Sequence, residues 1–279
     1  MFPGATADRD DATYVVLGAP LDVSTTFQPG ARFGPRRIRH FAETFDDYDR
    51  RTAQRFTEIG VHDAGDVRAW DDAPAYLEFL EGAVREVRWD GQVPLLLGGE
   101  HAISVAGVRA IEPDCFVCLD AHLDLRSEYD GNPLSHACAT RNVLEVAEKA
   151  IVLGARTGSE EEWDRASEPD VTVVPPESVE EWLANPPAFR DREVYLSVDV
   201  DAADPGYAPG TGTMEPFGLA PRELRNVVRT VAPHAVAFDV VEVNDRDDGQ
   251  SAALAGKLLR EFVYAHADGG GPVPEQGRS

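Results

Sequence analysis

The sequence predicts a three-layer α/β/α sandwich built on a mainly parallel central sheet. Short runs that are apolar at almost every position alternate with longer amphipathic segments nearly to the end of the chain. Strands apolar on both faces belong in a sheet covered by helices on both sides. A strand, helix, strand alternation implies parallel strands joined by right-handed crossovers. The residues able to carry chemistry follow directly after the apolar runs, at the carboxyl edge where open parallel sheets bind their ligands.

In chain order, residues 14–19, 95–97, 115–119, 151–153, 171–174, 194–198 and 236–241 read as strands. Between them, helical spacing predicts helices over residues 35–44, 73–89, 102–111, 137–149, 177–184, 221–231 and 251–267. Pro221 suits a first helical position and Ser251 a helix N-terminal region. With no internal repeat and no long linker, residues 1–267 read as one domain. The Gly, Pro and polar residues 268–279 read as a flexible tail.

Acidic residues outnumber basic ones by 50 to 26, for a net charge of −24. Nucleic acid and anionic membranes carry the same sign and would be repelled, which argues against both as partners. Lys149 and Lys257 are the only lysines, and aspartates crowd residues 8–11, 46–49 and 245–248. This composition resembles that of proteins from salt-rich cytoplasm. Such self-repulsion is tolerable when screened, with a Debye length of roughly 3 Å near 1 M salt, so structure or assembly is expected to weaken at low salt.

Cys115, Cys118 and Cys138 cannot form a disulfide framework in a chain of 279 residues, which suits a reducing cytosol. The Cys115-Phe-Val-Cys118 pair lies inside an apolar strand run, opens no helix and has no second pair to complete a zinc site, so all three read as core residues. No apolar run approaches the roughly 20 residues needed to span a bilayer. The N-terminus also lacks a basic segment followed by an apolar stretch, so a soluble cytoplasmic protein is expected.

Asp120-Ala121-His122-Leu123-Asp124 and Ser197-Val198-Asp199-Val200-Asp201 place metal-type side chains on alternate residues at strand ends. Alternate strand residues share one face, so these groups converge. Unpaired carboxylates after buried strands would be disfavoured by desolvation and mutual repulsion. With His101 of Gly98-Gly99-Glu100-His101 the ligand count reaches six, too many for one ion that keeps a catalytic position open. A pair of ions with bridging carboxylates fits better, and such a pair activates water for hydrolysis. Oxygen-rich ligation with minority imidazole and no thiolate suits manganese.

These segments, together with Asp239-Val-Val-Glu242-Val-Asn244, Asp204-Pro-Gly-Tyr-Ala-Pro-Gly-Thr211-Gly-Thr213 and Pro29-Gly30-Ala31-Arg32-Phe33-Gly34-Pro35-Arg36, resemble the ureohydrolase family of arginases, agmatinases and their relatives. The resemblance covers most of the chain and implies the arginase-like form of the sandwich. It implies that one manganese is held by His101, Asp120, Asp124 and Asp199, and a second by Asp120, His122, Asp199 and Asp201. Asp120 and Asp199 would then bridge, and the attacking species would be a metal-bridging hydroxide. Glu242 matches the carboxylate that pairs with the substrate guanidinium, His136 the histidine that protonates the leaving amine, and Thr213 a pocket-lining hydroxyl. Glu100 stands where Asp is commoner. Met214 and Phe217 stand where many relatives have Pro and Gly, and Asp245 where Pro is frequent, departures that bear on pocket shape.

Arginases carry polar residues after the last ligand of Asp-x-His-x-Asp to hold the amino-acid carboxylate, whereas this chain has Leu125-Arg126-Ser127. Ser135-His136-Ala137-Cys138 resembles prokaryotic agmatinases. The resemblance therefore implies hydrolysis of agmatine to putrescine and urea by a homo-trimer or homo-hexamer. Arg126 would oppose the distal amine of agmatine if it faced the pocket, or hold a carboxylate if the substrate were that of a guanidinobutyrase, formimidoylglutamase or arginase. A non-catalytic homologue is a further alternative, against which the presence of every ligand, His136 and Glu242 speaks.

Overall fold

The computed structural model describes residues 1–68, 72–189 and 192–277. Eight strands form one sheet: β1 Tyr14–Ala19, β4 Val61–Asp66, β5 Val93–Gly98, β6 Cys115–Leu119, β7 Lys149–Leu153, β8 Val171–Val174, β9 Val194–Asp199 and β10 Ala235–Val241. Their spatial order is β4-β1-β5-β10-β9-β6-β7-β8, and every neighbouring pair is parallel. A small antiparallel hairpin, β2 Tyr48–Asp49 and β3 Gln54–Arg55, stands apart.

Alternate strand residues feed two cores, as a pleated sheet requires. Leu95, Leu97, Val117, Leu119, Leu196 and Val198 pack with helices α1 Gly34–Ala42, α6 Val179–Ala184, α7 Pro221–Val231 and α8 Gln250–Gly269. Leu96, Phe116, Cys118 and Tyr195 point the other way, toward α2 Ala73–Trp89, α3 Ile103–Ile111 and α4 Ala139–Val143. The expected three-layer sandwich is present, with an entirely parallel main sheet.

Three elements depart from the sequence reading. Strand β4, Val-His-Asp-Ala-Gly-Asp, is an edge strand whose Asp63 and Asp66 pair with Arg39 of α1, so it has no continuous apolar run to reveal it. Helix α5, Glu160–Ala166, is largely charged and rests on a reciprocal cap between Ser159 and Glu162. The helix expected over residues 137–149 is reduced to a 3-10 turn, His136–Cys138, followed by the short α4. The Asn142 amide donates to the carbonyls of Pro133 and Cys138, and Lys149 already pairs with Cys115 in the sheet, so the chain must turn before it. At the C-terminus, α8 runs two residues beyond 267, and the Gly277 N–H donates to Trp89 O. Residues 278–279 of the expected tail lie outside the described residues.

Register positions the site. Leu97, Val240, Val198 and Leu119 lie in one row across the four central strands β5, β10, β9 and β6. The chain's order reverses at these strands, and their carboxyl ends open a crevice there. Gly99 lets β5 leave the sheet tightly, because any side chain there would collide with the Leu21 backbone.

Candidate binuclear metal centre

Immediately past that row come the ligand-type residues. Asp120 follows β6, Asp199 closes β9, Asp201 sits in the 3-10 turn Val200–Ala202, and His101 ends the loop after β5. Two groups form. His101 Nδ1 lies 3.0 Å from Asp120 Oδ2, 2.9 Å from Asp124 Oδ2 and 3.7 Å from Asp199 Oδ2. His122 Nδ1 lies 3.0 Å from Asp201 Oδ2 and 3.6 Å from Asp120 Oδ1. Asp120 thus turns one oxygen toward each group.

Backbone amides fix these carboxylates. His122 N–H donates to Asp120 Oδ1 at 2.7 Å, Asp201 N–H to Asp199 Oδ1 at 2.8 Å, and Ala121 N–H to Asp201 Oδ1 at 3.1 Å. Asp124 and Glu242 adopt left-handed backbone conformations, with φ of 51° and 61°. Such geometry is disfavoured for non-glycine residues and gathers at functional sites.

His101, Asp120, Asp124, Asp199 and Asp201 are buried. Burial pushes the Asp199 carboxyl well above the usual range, and the charges of Asp201, Asp120 and Glu242 push it further. Asp124 rises for the same two reasons, burial and the Asp120 charge. The imidazoles respond oppositely. Burial opposes the charged form of His122, yet Asp201 and Asp120 together push its pKa up to about 12. So much converging negative charge calls for cations beyond the two imidazoles. A set of carboxylate oxygens with minority imidazole fits hard divalent ions such as manganese.

The cluster opens into a cavity of about 320 Å³ that His122, Asp124, Asp199, Asp201, Glu242, His136, Thr213 and Arg126 all line. The Glu242 N–H donates to Gly99 O, and burial pushes its carboxyl up to about 8, with Asp201 adding to the rise and the His101 amide opposing it. His136 is placed by Ser24, whose Oγ accepts the His136 backbone N–H at 2.9 Å and lies 3.2 Å from Nδ1. Ser24 N–H in turn donates to Glu100 Oε2 at 2.8 Å, and Glu100 is fully buried. Arg126 does not stand free. Its Nη2 lies 3.2 Å from Glu162 Oε2, and its guanidinium covers the Tyr129 ring at 5.3 Å.

A sequence model of the Arginase family matches residues 12–264. The chain belongs to the arginase family. An agmatinase of Pyrococcus horikoshii is 35% identical over 269 residues, covering 91% of this chain and 92% of that protein. An N(1)-aminopropylagmatine ureohydrolase of Thermococcus kodakarensis is 34% identical over 273 residues, 93% of each. Among solved structures, the agmatine ureohydrolase of Thermoplasma volcanium superposes with a TM-score of 0.89 at 33% identity, covering 96% of this chain and 94% of that one.

In this member of the arginase family a buried polar network stands behind the cluster, and the sequence reading assigned it no role. Ser197 Oγ lies 3.3 Å from His101 Nε2 and donates to Asp239 Oδ1 at 2.6 Å, while Tyr195 OH donates to Asp239 Oδ2 at 2.8 Å. These contacts orient the His101 ring so that Nδ1 faces the carboxylates. Asp239 left a signal, a charged residue inside the apolar run of β10. Cys118 Sγ is 3.6 Å from His101 Nε2, and burial pushes its thiol up to about 12, so it packs there protonated. Ser24, which lies on a loop, left no signal.

Proposed function

We propose that the chain is a binuclear manganese hydrolase that cleaves agmatine to putrescine and urea. The observation that carries this reading is Glu242, a carboxylate that lines one cavity with His136 and four of the six cluster residues, His122, Asp124, Asp199 and Asp201. His101, Asp120, Asp124 and Asp199 would hold one ion, and Asp120, His122, Asp199 and Asp201 the other. When bound, two such ions supply an oxygen nucleophile near neutral pH by lowering the pKa of water.

The chain's own residues do the rest. Glu242 accepts the guanidinium N–H groups, a charge-assisted pairing with planar geometry, and so fixes the carbon to be attacked. His136 lines the cavity with Nδ1 against Ser24 and Nε2 3.5 Å from the Thr26 hydroxyl, and Nε2 would deliver a proton to the leaving amine as the carbon–nitrogen bond breaks. Thr213 borders the substrate. Pairing of Arg126 with Glu162 removes the objection that Arg126 would repel a cationic tail, and it equally weakens Arg126 as a carboxylate clamp. We place the enzyme in the cytoplasm as a homo-trimer or homo-hexamer, a single domain with a flexible tail. No helix of the described residues is long and apolar enough to cross a membrane.

Urea release from agmatine, N(1)-aminopropylagmatine, arginine and guanidinobutyrate by manganese-loaded protein, with metal analysis of the same sample, tests the reading. Agmatine should be the preferred substrate of a protein holding two ions. Absence of agmatine turnover would overturn it.

A further inference from the structure

The cavity holds one carboxylate that neither the cluster nor the proposed chemistry uses. Glu215 lines it together with Glu242, and among the described residues no hydrogen bond or ion pair reaches the Glu215 carboxylate. The other lining acids are engaged. Asp124, Asp199 and Asp201 belong to the cluster, and Glu242 accepts the His101 N–H. Glu162 accepts from Leu125 N–H, Ser159 N–H and Ser159 Oγ besides its contact with Arg126.

The segment that carries Glu215 is pinned at Glu215 itself and just after it. Arg156 Nη2 donates to Glu215 O at 2.6 Å and to Asp201 O at 2.9 Å, so one guanidinium ties this segment to the residue that carries a cluster ligand. Asp204 Oδ2 accepts Phe217 N–H at 2.7 Å and Gly218 N–H at 3.2 Å, closing the loop two residues further on. An anchored backbone with a free acid at its tip is a preorganised cation acceptor. Arg126, the one arginine among the cavity-lining residues, is already paired and does not cancel it.

We infer that Glu215 receives the distal ammonium of a guanidino amine while Glu242 holds its guanidinium, so that the cavity selects substrates cationic at both ends. This rests on the hydrolytic reading above for its substrate class. A substrate ending in a carboxylate meets like charge at Glu215 and is rejected.

The test compares agmatine and butylguanidine, which lacks the distal amine, on manganese-loaded wild type, Glu215→Gln and Glu215→Asp, with apparent affinities taken from the kinetics of urea release where there is turnover and from calorimetry where there is none. Wild type should bind agmatine about ten- to a hundredfold more tightly than butylguanidine, the range for a hydrogen bond to a charged group. Glu215→Gln should bring the two affinities together, and Glu215→Asp should keep part of the preference. Equal affinities in wild type, or a preference that survives Glu215→Gln, would overturn the assignment. A preference that depends on Glu215 without urea release would support the subsite and overturn the hydrolytic reading instead.

Discussion

The backbone N–H of His101 donates to Glu242 Oε1 at 2.8 Å, so the residue that offers its imidazole to the acidic cluster also anchors a carboxylate that lines the cavity. The proposed ligand and the proposed substrate acceptor are thereby held together. Oε1 is held by the amide, which leaves Oε2 and the remaining lone pairs for a guanidinium. Glu242→Gln keeps an oxygen for His101 N–H but turns an amide N–H toward the substrate cation. We expect kcat/KM for agmatine to fall by about two orders of magnitude or more, with both metals retained. Wild-type kinetics in this variant would remove Glu242 from its role.

Asp201 offers Oδ2 toward His122 Nδ1 and Oδ1 to the Ala121 N–H. Asp201→Asn preserves the shape and most of the hydrogen bonding but removes a negative charge. Affinity for one of the two ions should drop by at least about tenfold, with activity lost and the circular dichroism unchanged. Metal stoichiometry after dialysis reads this directly, and two ions retained with full activity would contradict the assignment.

Ser24 positions His136, the proposed proton donor. Ser24→Ala removes the hydroxyl that accepts the His136 amide and faces Nδ1, while leaving every cluster residue intact. We expect kcat to fall roughly tenfold and KM to change little, because proton delivery depends on the orientation of the imidazole. A loss of activity matched by loss of metal, or a fall in kcat/KM carried by KM alone, would make Ser24 merely structural.

His266 reports on stability away from the site. It is buried on α8, with Nδ1 2.8 Å from the Tyr14 hydroxyl and Nε2 3.1 Å from Ala235 O. Burial holds its pKa below the ordinary value, against the pull of the Ala235 and Pro272 carbonyls. The unfolded chain therefore binds the proton more readily than the folded one. The stability at stake is fully present above the unfolded pKa near 6.5 and is lost as pH falls toward the lower folded value, by up to about 1.4 kcal/mol per pH unit. Melting of wild type and His266→Gln at pH 7.5 and 5.5 should show the wild-type advantage shrinking on acidification. A gap independent of pH would reject this account.

Legibility in the sequence followed the range of the interactions. Residues 14–19 and 115–119 coincide with β1 and β6 because uninterrupted apolar runs announce strands covered on both faces. Strand β4 was hidden because it is an edge, where Asp63 and Asp66 can face Arg39. The alternate residues of Asp120-x-His122-x-Asp124 expose a ligand pattern by local geometry alone. The Ser24 to His136 contact, 112 residues apart, and the Asp239 to Ser197 bond, 42 apart, exist only once the chain is folded. Arg126 shows the same limit, since its charge was readable and its partner Glu162 was not.

The strand order also dictates a timetable. β9 and β10, the last strands to leave the ribosome, occupy the middle of the sheet, between β5 on one side and β6 on the other. Until they arrive, a nascent chain carries two separate ribbons, β4-β1-β5 and β6-β7-β8, each with an unpaired and wholly buried-type edge. Such edges invite pairing with other chains. Stalled or truncated products ending before Val194 are thus prone to aggregate. They also lack Asp199, Asp201 and Glu242 of the proposed site.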